Sequence, residues 1–207
     1  MAQKTARAIE RASEIDLLAS PTRIEIVDTL EALGRAVSVA ELAGELGRPA
    51  DGLYYHLRQL ARGGLIEEET APDGRRFRLR TESGARLSLR YRPGATANAR
   101  AVGRVAASVL RVAERDFKRA LGDPGAVVEG PRRELWAARG KGWVGPDQLT
   151  EINRLLGRLM ELLHQPRTPE HDTLIAVSWV LAPLEPKSPR RAPERKPAQK
   201  RIRARPG

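Results

Sequence analysis

The segment "RPADGLYYHLRQLARGGLI", residues 48–66, places side chains that can recognise nucleic acid on one predicted helix. Leu53, Leu57 and Leu60 recur at helical spacing, so they form the stripe that packs inward. The polar and aromatic side chains that fall off this stripe are Asp51, Tyr54, Tyr55 and Arg58. A guanidinium can donate two hydrogen bonds to guanine, and a tyrosine can bond a phosphate or lie against a thymine methyl. The pattern predicts a core face and a nucleic-acid face on the same helix.

The side chains off the leucine stripe have different expected roles. Tyr55 and Arg58 are predicted DNA contacts, whereas Tyr54 can equally pack under the hairpin that follows. The Asp51 carboxylate would repel phosphates, so near DNA we expect it to accept from a cytosine amino group or to cap the helix. His56 lies beside the leucine stripe and is interpreted as a packed histidine that is hydrogen-bonded to a neighbouring element.

A second basic site follows at the turn "PDGRR". Arg75 and Arg76 come directly after this turn, and an arginine at a hairpin tip can contact phosphates or enter the minor groove, where the potential is most negative. The alternative is a solvated hairpin without DNA contact. Glu67, Glu68 and Glu69 cannot usefully face DNA, so we expect them to face solvent or to pair with neighbouring arginines.

The elements that position these residues are indicated by apolar periodicity and by end signals. Helices are predicted over about 5–18, 20–33 and 38–46, a fourth follows Pro49 and ends near Gly63, and strands are predicted over 65–70 and 75–80. Ser20 and Pro21 suit the start of the second helix, while Ser38 and Glu41 have capping-box spacing at the third. About three residues join the third helix to the fourth, which requires the steep crossing of a helix-turn-helix. With the hairpin behind it, this order is that of a winged helix.

Residues 15–80 resemble the DNA-binding domain of ArsR-type winged-helix transcriptional regulators. "LASPTRIEIVDTL" is similar to their opening helix, "SVAELAGELGRPADGLYYHLRQLARGGLI" to their helix-turn-helix and "DGRRFRLR" to their wing, and together these cover about a third of the chain. The most specific part is "YYHLRQLARGGLI", with its His-Leu pair, its following leucine and its Gly-Leu-Ile exit. The chain has no cysteine, so it resembles the branch without the metal-binding cysteine box, and thiolate metal sensing is not implied.

The second half of the chain predicts a different kind of unit. Residues 98–121 have the periodicity of a long helix, with Val105 and Val109 on the face expected to join two copies of the chain. The predicted division is a winged helix-turn-helix domain over 1–80, a linker over 81–97, a dimerisation or effector domain over 98–185 and a tail over 186–207. The predicted fold class is therefore α+β and mostly helical.

Behind the long helix, the pattern predicts a small α+β domain. An irregular strand or hairpin over 132–145 precedes an amphipathic helix over 146–165 and an apolar strand over 173–184. A C-terminal half of this kind in some regulators of the resembled branch implies dimerisation or effector sensing. Trp136 and Trp143 are interpreted as core or interface residues, with a small-molecule effector pocket as the alternative.

The net charge of +11 indicates an acidic partner, and double-stranded DNA is the natural candidate. Residues 186–207 carry nine Lys or Arg against Glu194 alone, a net of +8, which leaves only +3 for residues 1–185. Five prolines and little apolar surface predict that this tail is disordered. It either lies along phosphates or only keeps the chain in solution.

Catalytic and metal chemistry have little support in the sequence. His164 and His171 flank a proline-containing loop near Glu170 and Asp172, and two histidines with a carboxylate form a conceivable metal site. Histidines in such loops are commonly solvated, so no metal site is predicted. The chain shows no nucleophile with an adjacent base, no phosphate-binding glycine loop and no zinc-protease motif. Neither enzymatic activity nor a cofactor is therefore expected.

The predicted protein is a cytoplasmic, homodimeric, sequence-specific DNA-binding regulator without a membrane anchor. Its longest apolar run, "TLIAVSWVLAPL", is shorter than the ~20 residues of a membrane-spanning helix. A repressor is favoured over an activator because repression needs only promoter occupancy. The alternatives are an architectural or nucleoid-associated protein whose tail dominates binding, and a winged helix used for protein contacts. A regulator should prefer its palindromic site over bulk DNA by ~10³-fold or more.

Overall fold

The computed structural model describes residues 7–81, 86–165, 168–171 and 173–184. Its helices are α1 (Ala12–Leu17), α2 (Pro21–Leu33), α3 (Val39–Leu46), α4 (Asp51–Arg62), α5 (Thr96–Leu121) and α6 (Pro146–Leu163). Its strands are β1 (Arg7–Ile9), β2 (Val37–Ser38), β3 (Ile66–Ala71), β4 (Gly74–Leu79) and β5 (Leu87–Leu89). The helices of the predicted helix-turn-helix and the two strands of the predicted hairpin are confirmed.

The helix starts follow from local capping chemistry. At α3 the capping box is complete: the Ser38 hydroxyl accepts from the Glu41 amide at 3.2 Å, and the Glu41 carboxylate accepts from the Ser38 amide at 2.8 Å. Gly47 ends α3 at a φ of 59°, a conformation that glycine adopts without a steric cost. Pro21 opens α2 as predicted, although the hydroxyl of the preceding Ser20 makes no capping bond.

The hairpin belongs to a three-stranded antiparallel sheet with the strand order β2-β4-β3. Ile66 pairs with Leu79 and Ala71 with Gly74, so a two-residue turn joins the long strands. Phe77 and Leu79 alternate with arginines along β4 and are buried. Three helices followed by this hairpin form a winged helix-turn-helix, and the chain has the mixed helix and sheet content of an α+β protein.

The N-terminal segment differs from its prediction. In place of a helix over 5–18, α1 covers only residues 12–17, and β1 pairs in parallel with β5. Strand β5 lies inside the segment 81–97 that was predicted to be a linker. The reason is that β1 and β5 are each three residues long and lie far apart in sequence, so neither leaves a local pattern. The buried side chain of Asn98 accepts from the Arg92 amide and donates to the carbonyls of Glu10 and Arg90, which ties the start of α5 to this sheet.

The second half also departs from its prediction. Helices α5 and α6 form, but the described residues from 122 to 145 and from 173 to 184 contain no helix and no strand. The predicted α+β domain is therefore not formed by the described residues, because the apolar strand finds no partner strand beside it. Trp136 and Trp143 are 68% and 92% exposed, so they are not core residues of this chain. The predicted tail, 186–207, lies outside the described residues.

Candidate nucleic-acid interface

Helix α4 has two chemically distinct faces. Leu53, Leu57 and Leu60 are buried at 1%, 0% and 0% exposure, which confirms the predicted inward stripe. Asp51, Tyr54, Tyr55 and Arg58 all have exposed side chains, and Tyr55 is 57% exposed. The four residues proposed from this helix are thus available at the surface, on a helix that its buried leucines hold in place.

The arginines on the exposed face of α4 have no acidic partner in the part of the chain that the structure describes. Arg58 makes no ion pair or hydrogen bond with any described residue, and the same holds for Arg62. Arg62 was not among the residues predicted from the sequence, although it lies one turn after Arg58 and seven residues after Tyr55. That spacing is the signal that should have included it. Two unneutralised guanidinium groups on one helix face form an electropositive strip suited to a polyanion.

His56 supports the exposed face from its edge. It is half-buried, and its ring meets the Tyr55 ring edge to face at a centroid distance of 5.3 Å. Burial, together with the positive charges of Arg23 and Arg48, lowers the pKa of His56 below its usual value, so the ring is neutral at pH 7. The packed position is confirmed, but within the described part of the chain the buried Nδ1 has no hydrogen-bond partner.

The entry to α4 is fixed to the rest of the domain by one carboxylate. Glu25 on α2 accepts from Arg48, which precedes α4, at 2.8 Å, and from Arg115 on α5 at 2.6 and 2.9 Å. The Glu25 side chain is only 12% exposed, so its carboxylate is largely removed from water, while the Arg48 and Arg115 side chains are each 35% exposed. The turn of the helix-turn-helix is thereby connected to α2 and α5 together.

The exit of α4 depends on two glycines. A Cβ on Gly63 would lie 2.0 Å from the Leu17 side chain, so that α1 approaches here as closely as the missing side chain allows. Gly64 adopts a φ of 71°, which is costly for residues with a Cβ. Arg7 donates to the Gly64 carbonyl at 2.8 Å and to the Arg80 carbonyl at 2.7 Å. The end of α4 and the end of the hairpin are therefore held by the same side chain.

The arginines of the hairpin form ion pairs with acidic residues of the same hairpin. Glu68 pairs with Arg75 at 3.3 Å, while Glu67 at 2.6 Å and Glu69 both pair with Arg78, which confirms the expected pairing of these glutamates. Arg76 is half-buried and binds Asp73 at 2.6 Å, and its hydrogen bond lowers the Asp73 pKa. Arg75 stays exposed. Of the two predicted hairpin arginines, Arg75 is the more available and Arg76 is the more structural.

Two other candidate sites give little support for ligand chemistry. The described residues contain no group of three His, Asp or Glu side chains arranged to hold a metal ion, and Asp172 lies outside them. His164 contacts the Glu31 carboxylate through Nε2, which links the end of α6 to α2. A cavity of about 120 Å³ lies beside the start of α4. That is smaller than the ~300 Å³ of a typical ligand pocket. Its lining residues are Thr22, Arg48, Pro49, Gly52, Leu53 and His56.

Comparison with known proteins supports the same region of the chain. Residues 18–69 match a family described as "Helix-turn-helix domain". This range contains α2, α3 and α4 and supports a DNA-binding regulator. No curated protein matches the chain. No described helix is long and apolar enough to cross a membrane. The match covers about a quarter of the chain and leaves α5 and everything after it without a counterpart.

Proposed function

We propose that this protein is a homodimeric, sequence-specific DNA-binding regulator of the ArsR type, acting as a repressor on promoter DNA in the cytoplasm. The observation that carries the proposal is the exposed face of α4, where Arg58 and Arg62 have no acidic partner among the described residues while the opposite face packs into the core. Elsewhere in the helix-turn-helix and hairpin, Arg35, Arg48, Arg75, Arg76 and Arg78 are paired with carboxylates, and Arg23 donates to backbone carbonyls. Arg80, at the end of the hairpin, is also exposed and has no acidic partner among the described residues. An unpaired arginine strip on a rigid helix is what a recognition helix needs.

In this proposal α4 enters the major groove. Arg58 donates to guanine O6 and N7, Tyr55 contacts a phosphate or a thymine methyl, and Arg62 neutralises a backbone phosphate. Asp51 at the first turn accepts from a cytosine amino group, and Tyr54 packs toward the hairpin. Because the leucine stripe and the Glu25 pairs already fix α4, little further ordering is needed on binding, which favours affinity.

The hairpin plays a secondary part. To reach a phosphate or the minor groove, Arg75 gives up its exposed pair with Glu68, and surface pairs of this kind contribute only about 0–1 kcal/mol. Release of counterions from DNA compensates for that cost. Arg76 would have to leave Asp73 and a half-buried position, so its contribution to DNA binding is the smaller one.

A dimer is part of the proposal because two recognition helices must reach major-groove faces about 34–36 Å apart. The predicted seam on α5 needs revision, since Val105 is 4% exposed and packs into the chain's own core. Val105 and Val109 therefore stabilise the N-terminal domain first. The second copy has to bind elsewhere, and no effector site is assigned.

The deciding experiment compares Arg58→Ala with Arg119→Ala on a duplex selected from random sequences. Arg119 is an exposed arginine on α5 without a partner among the described residues, so it controls for the loss of one positive charge. Loss of a bidentate base contact should cost about 1–3 kcal/mol, which is roughly 5- to 150-fold in Kd, and should relax specificity at one position of each half-site. Equal affinity and unchanged specificity in the two variants would contradict the recognition-helix assignment.

The architectural alternative rests on the basic tail and makes a different prediction. If residues 186–207 dominate binding, the full chain should prefer its selected site over random DNA by well under ~10³-fold. In the regulator proposal, deleting the tail lowers affinity for all sequences alike and flattens the dependence on salt, while the ranking of site variants is kept. Filter binding at several salt concentrations separates the two.

A further inference from the structure

The second half of the chain exposes many large apolar side chains to solvent. None of the described residues after Val105 is a buried hydrophobic residue, and α6, although amphipathic, buries none of its side chains. The large exposed apolar residues of this half include Trp136, Trp143, Leu155, Leu162, Leu174, Ile175, Val180 and Leu181. Large apolar side chains exposed in this number favour a binding site for another macromolecule.

Two segments of this half have unpaired backbone groups that a β-strand of another molecule could bind. Residues 136–144 and 174–182 have no regular secondary structure, and within the described part of the chain they make no backbone hydrogen bond to any other residue. Each is nine residues long, which is ample for a β-strand. Unpaired backbone donors and acceptors along an apolar strand are a template for strand addition.

We propose that residues 174–182 pair, strand to strand, with the same residues of a second copy of this chain, and that residues 136–144 extend the shared sheet while α6 covers one face. This surface is the dimer interface that the proposed function requires, and in that respect the inference rests on it. The segments remain unpaired in a single chain because their partner is another molecule.

Charge and symmetry favour a second copy as the occupant. Residues 174–182 contain no charged side chain, so two copies can lie side by side around a twofold axis without like charges facing each other. Residues 136–144 carry Arg139 and Lys141, which disfavours pairing of that segment with itself and places it at the flank. The two segments provide about 20 residues in each chain, close to the 20–30 residues per side of a standard stable interface.

The test uses the full chain and sedimentation at several concentrations. Val177→Pro with Val180→Pro removes one amide donor from each edge of the segment, because alternate residues point their N–H groups in opposite directions. Val177→Thr with Val180→Thr is the matched control, since it keeps both donors and the β-branched shape. We expect the unmodified chain and the threonine pair to be dimers and the proline pair to be a monomer. A Leu110→Glu variant on the exposed face of α5 should remain a dimer.

A covalent readout locates the contact directly. The chain has no cysteine, so Ser178→Cys introduces a unique thiol near the middle of the segment, and Glu45→Cys places one on an exposed position of α3. A short bismaleimide should convert only Ser178→Cys into a covalent dimer.

Three results would overturn the proposal: a monomeric unmodified chain, a proline pair that stays dimeric, or dissociation caused by Leu110→Glu alone. The proposed function is judged separately, by whether the monomeric variant still binds a duplex carrying one half-site. If the protein binds a half-site but does not dimerise through residues 174–182, this inference is rejected and the DNA-binding proposal is kept. If the protein dimerises through these residues but binds no DNA, the DNA-binding proposal is rejected and this inference is kept.

Discussion

The two halves of the molecule differ in how much apolar surface they bury. Among the described residues, the twenty buried hydrophobic ones all lie between Ile9 and Val105, in one core shared by the helix-turn-helix, the hairpin and the first turns of α5. The described residues from 122 to 184 contribute none. Apart from the shortened α1, helices in both halves form where periodicity predicts them, but only the N-terminal half closes a core around them. Periodicity thus predicts an element, whereas a core also needs a partner for each apolar face.

Ion pairs and hydrogen bonds also attach α5 to the rest of the N-terminal half. Arg104 on α5 forms a bidentate pair with Asp16, and the Ser108 hydroxyl donates to the Ala19 carbonyl at 2.6 Å. The hydrogen bond to Glu25, with Asp116 adding to it, raises the pKa of the Arg115 guanidinium. Helix α5 is thereby part of the N-terminal domain and not a free arm.

The largest contrast should come from apolar truncation in each half. Leu57→Ala removes a side chain with 0% exposure and should lower the free energy of unfolding by about 2–5 kcal/mol. Leu174→Ala, at 77% exposure, should change it by less than about 0.5 kcal/mol when measured in the Val177→Pro, Val180→Pro background, where no dimer forms. Urea unfolding gives both values, and similar losses would remove the distinction between the halves.

Removal of the shared carboxylate tests how α5 is attached. Glu25→Gln leaves Arg48 without a charged partner and leaves Arg115 with Asp116 alone, and it should cost about 1–3 kcal/mol. Glu114→Gln breaks an exposed pair with Lys118 and should change the free energy of unfolding much less. If the two losses in urea unfolding are equal, Glu25 is not the link that the structure indicates.

A pair of glycine substitutions probes the exit of α4. Gly64→Ala forces a Cβ into a conformation with φ of 71° and should cost about 1–2 kcal/mol. Gly44→Ala, in the interior of α3 with open space around it, should stabilise the domain by about 0.4–1 kcal/mol. Thermal unfolding should therefore shift in opposite directions, and a shift in the same direction would contradict this description of the exit.

The smallest effect concerns pH. The pKa of His56 is lowered in the folded chain, whereas in the unfolded chain it takes its ordinary value of about 6.5. As pH falls below about 6.5 the unfolded state binds a proton first, so stability falls until pH passes the folded-state pKa and is then constant. His56→Gln should lose less stability than the unmodified chain between pH about 7.5 and about 5.5. Equal losses would show that His56 does not contribute.

The sequence predicts the helix-turn-helix because its signals are local. The capping box of Ser38 and Glu41, the leucine stripe of α4 and the alternation of Phe77 and Leu79 each act within a few residues. The parallel pairing of β1 with β5 and the docking of Val105 join residues about 80 or more positions apart, so no short pattern shows them.

The candidate site divides in the same way. Helical spacing predicts that Arg58 and Tyr55 lie off the core stripe. It does not predict which arginines form ion pairs. The structure is needed to show that Arg62 has no partner among the described residues, whereas Arg76 forms an ion pair with Asp73. The strand predicted over 173–184 does not form, because no other strand lies beside it among the described residues.

The most direct test of the central claim is an NMR titration of the full chain with its selected duplex, following backbone amides and arginine Nε–Hε signals. If α4 reads DNA, the largest shifts occur at Arg58, Arg62 and the amides of Asp51–Arg62, smaller shifts at Arg75, and none within residues 174–182. Shifts confined to residues 186–207, with α4 unperturbed, would contradict the claim that this helix reads DNA.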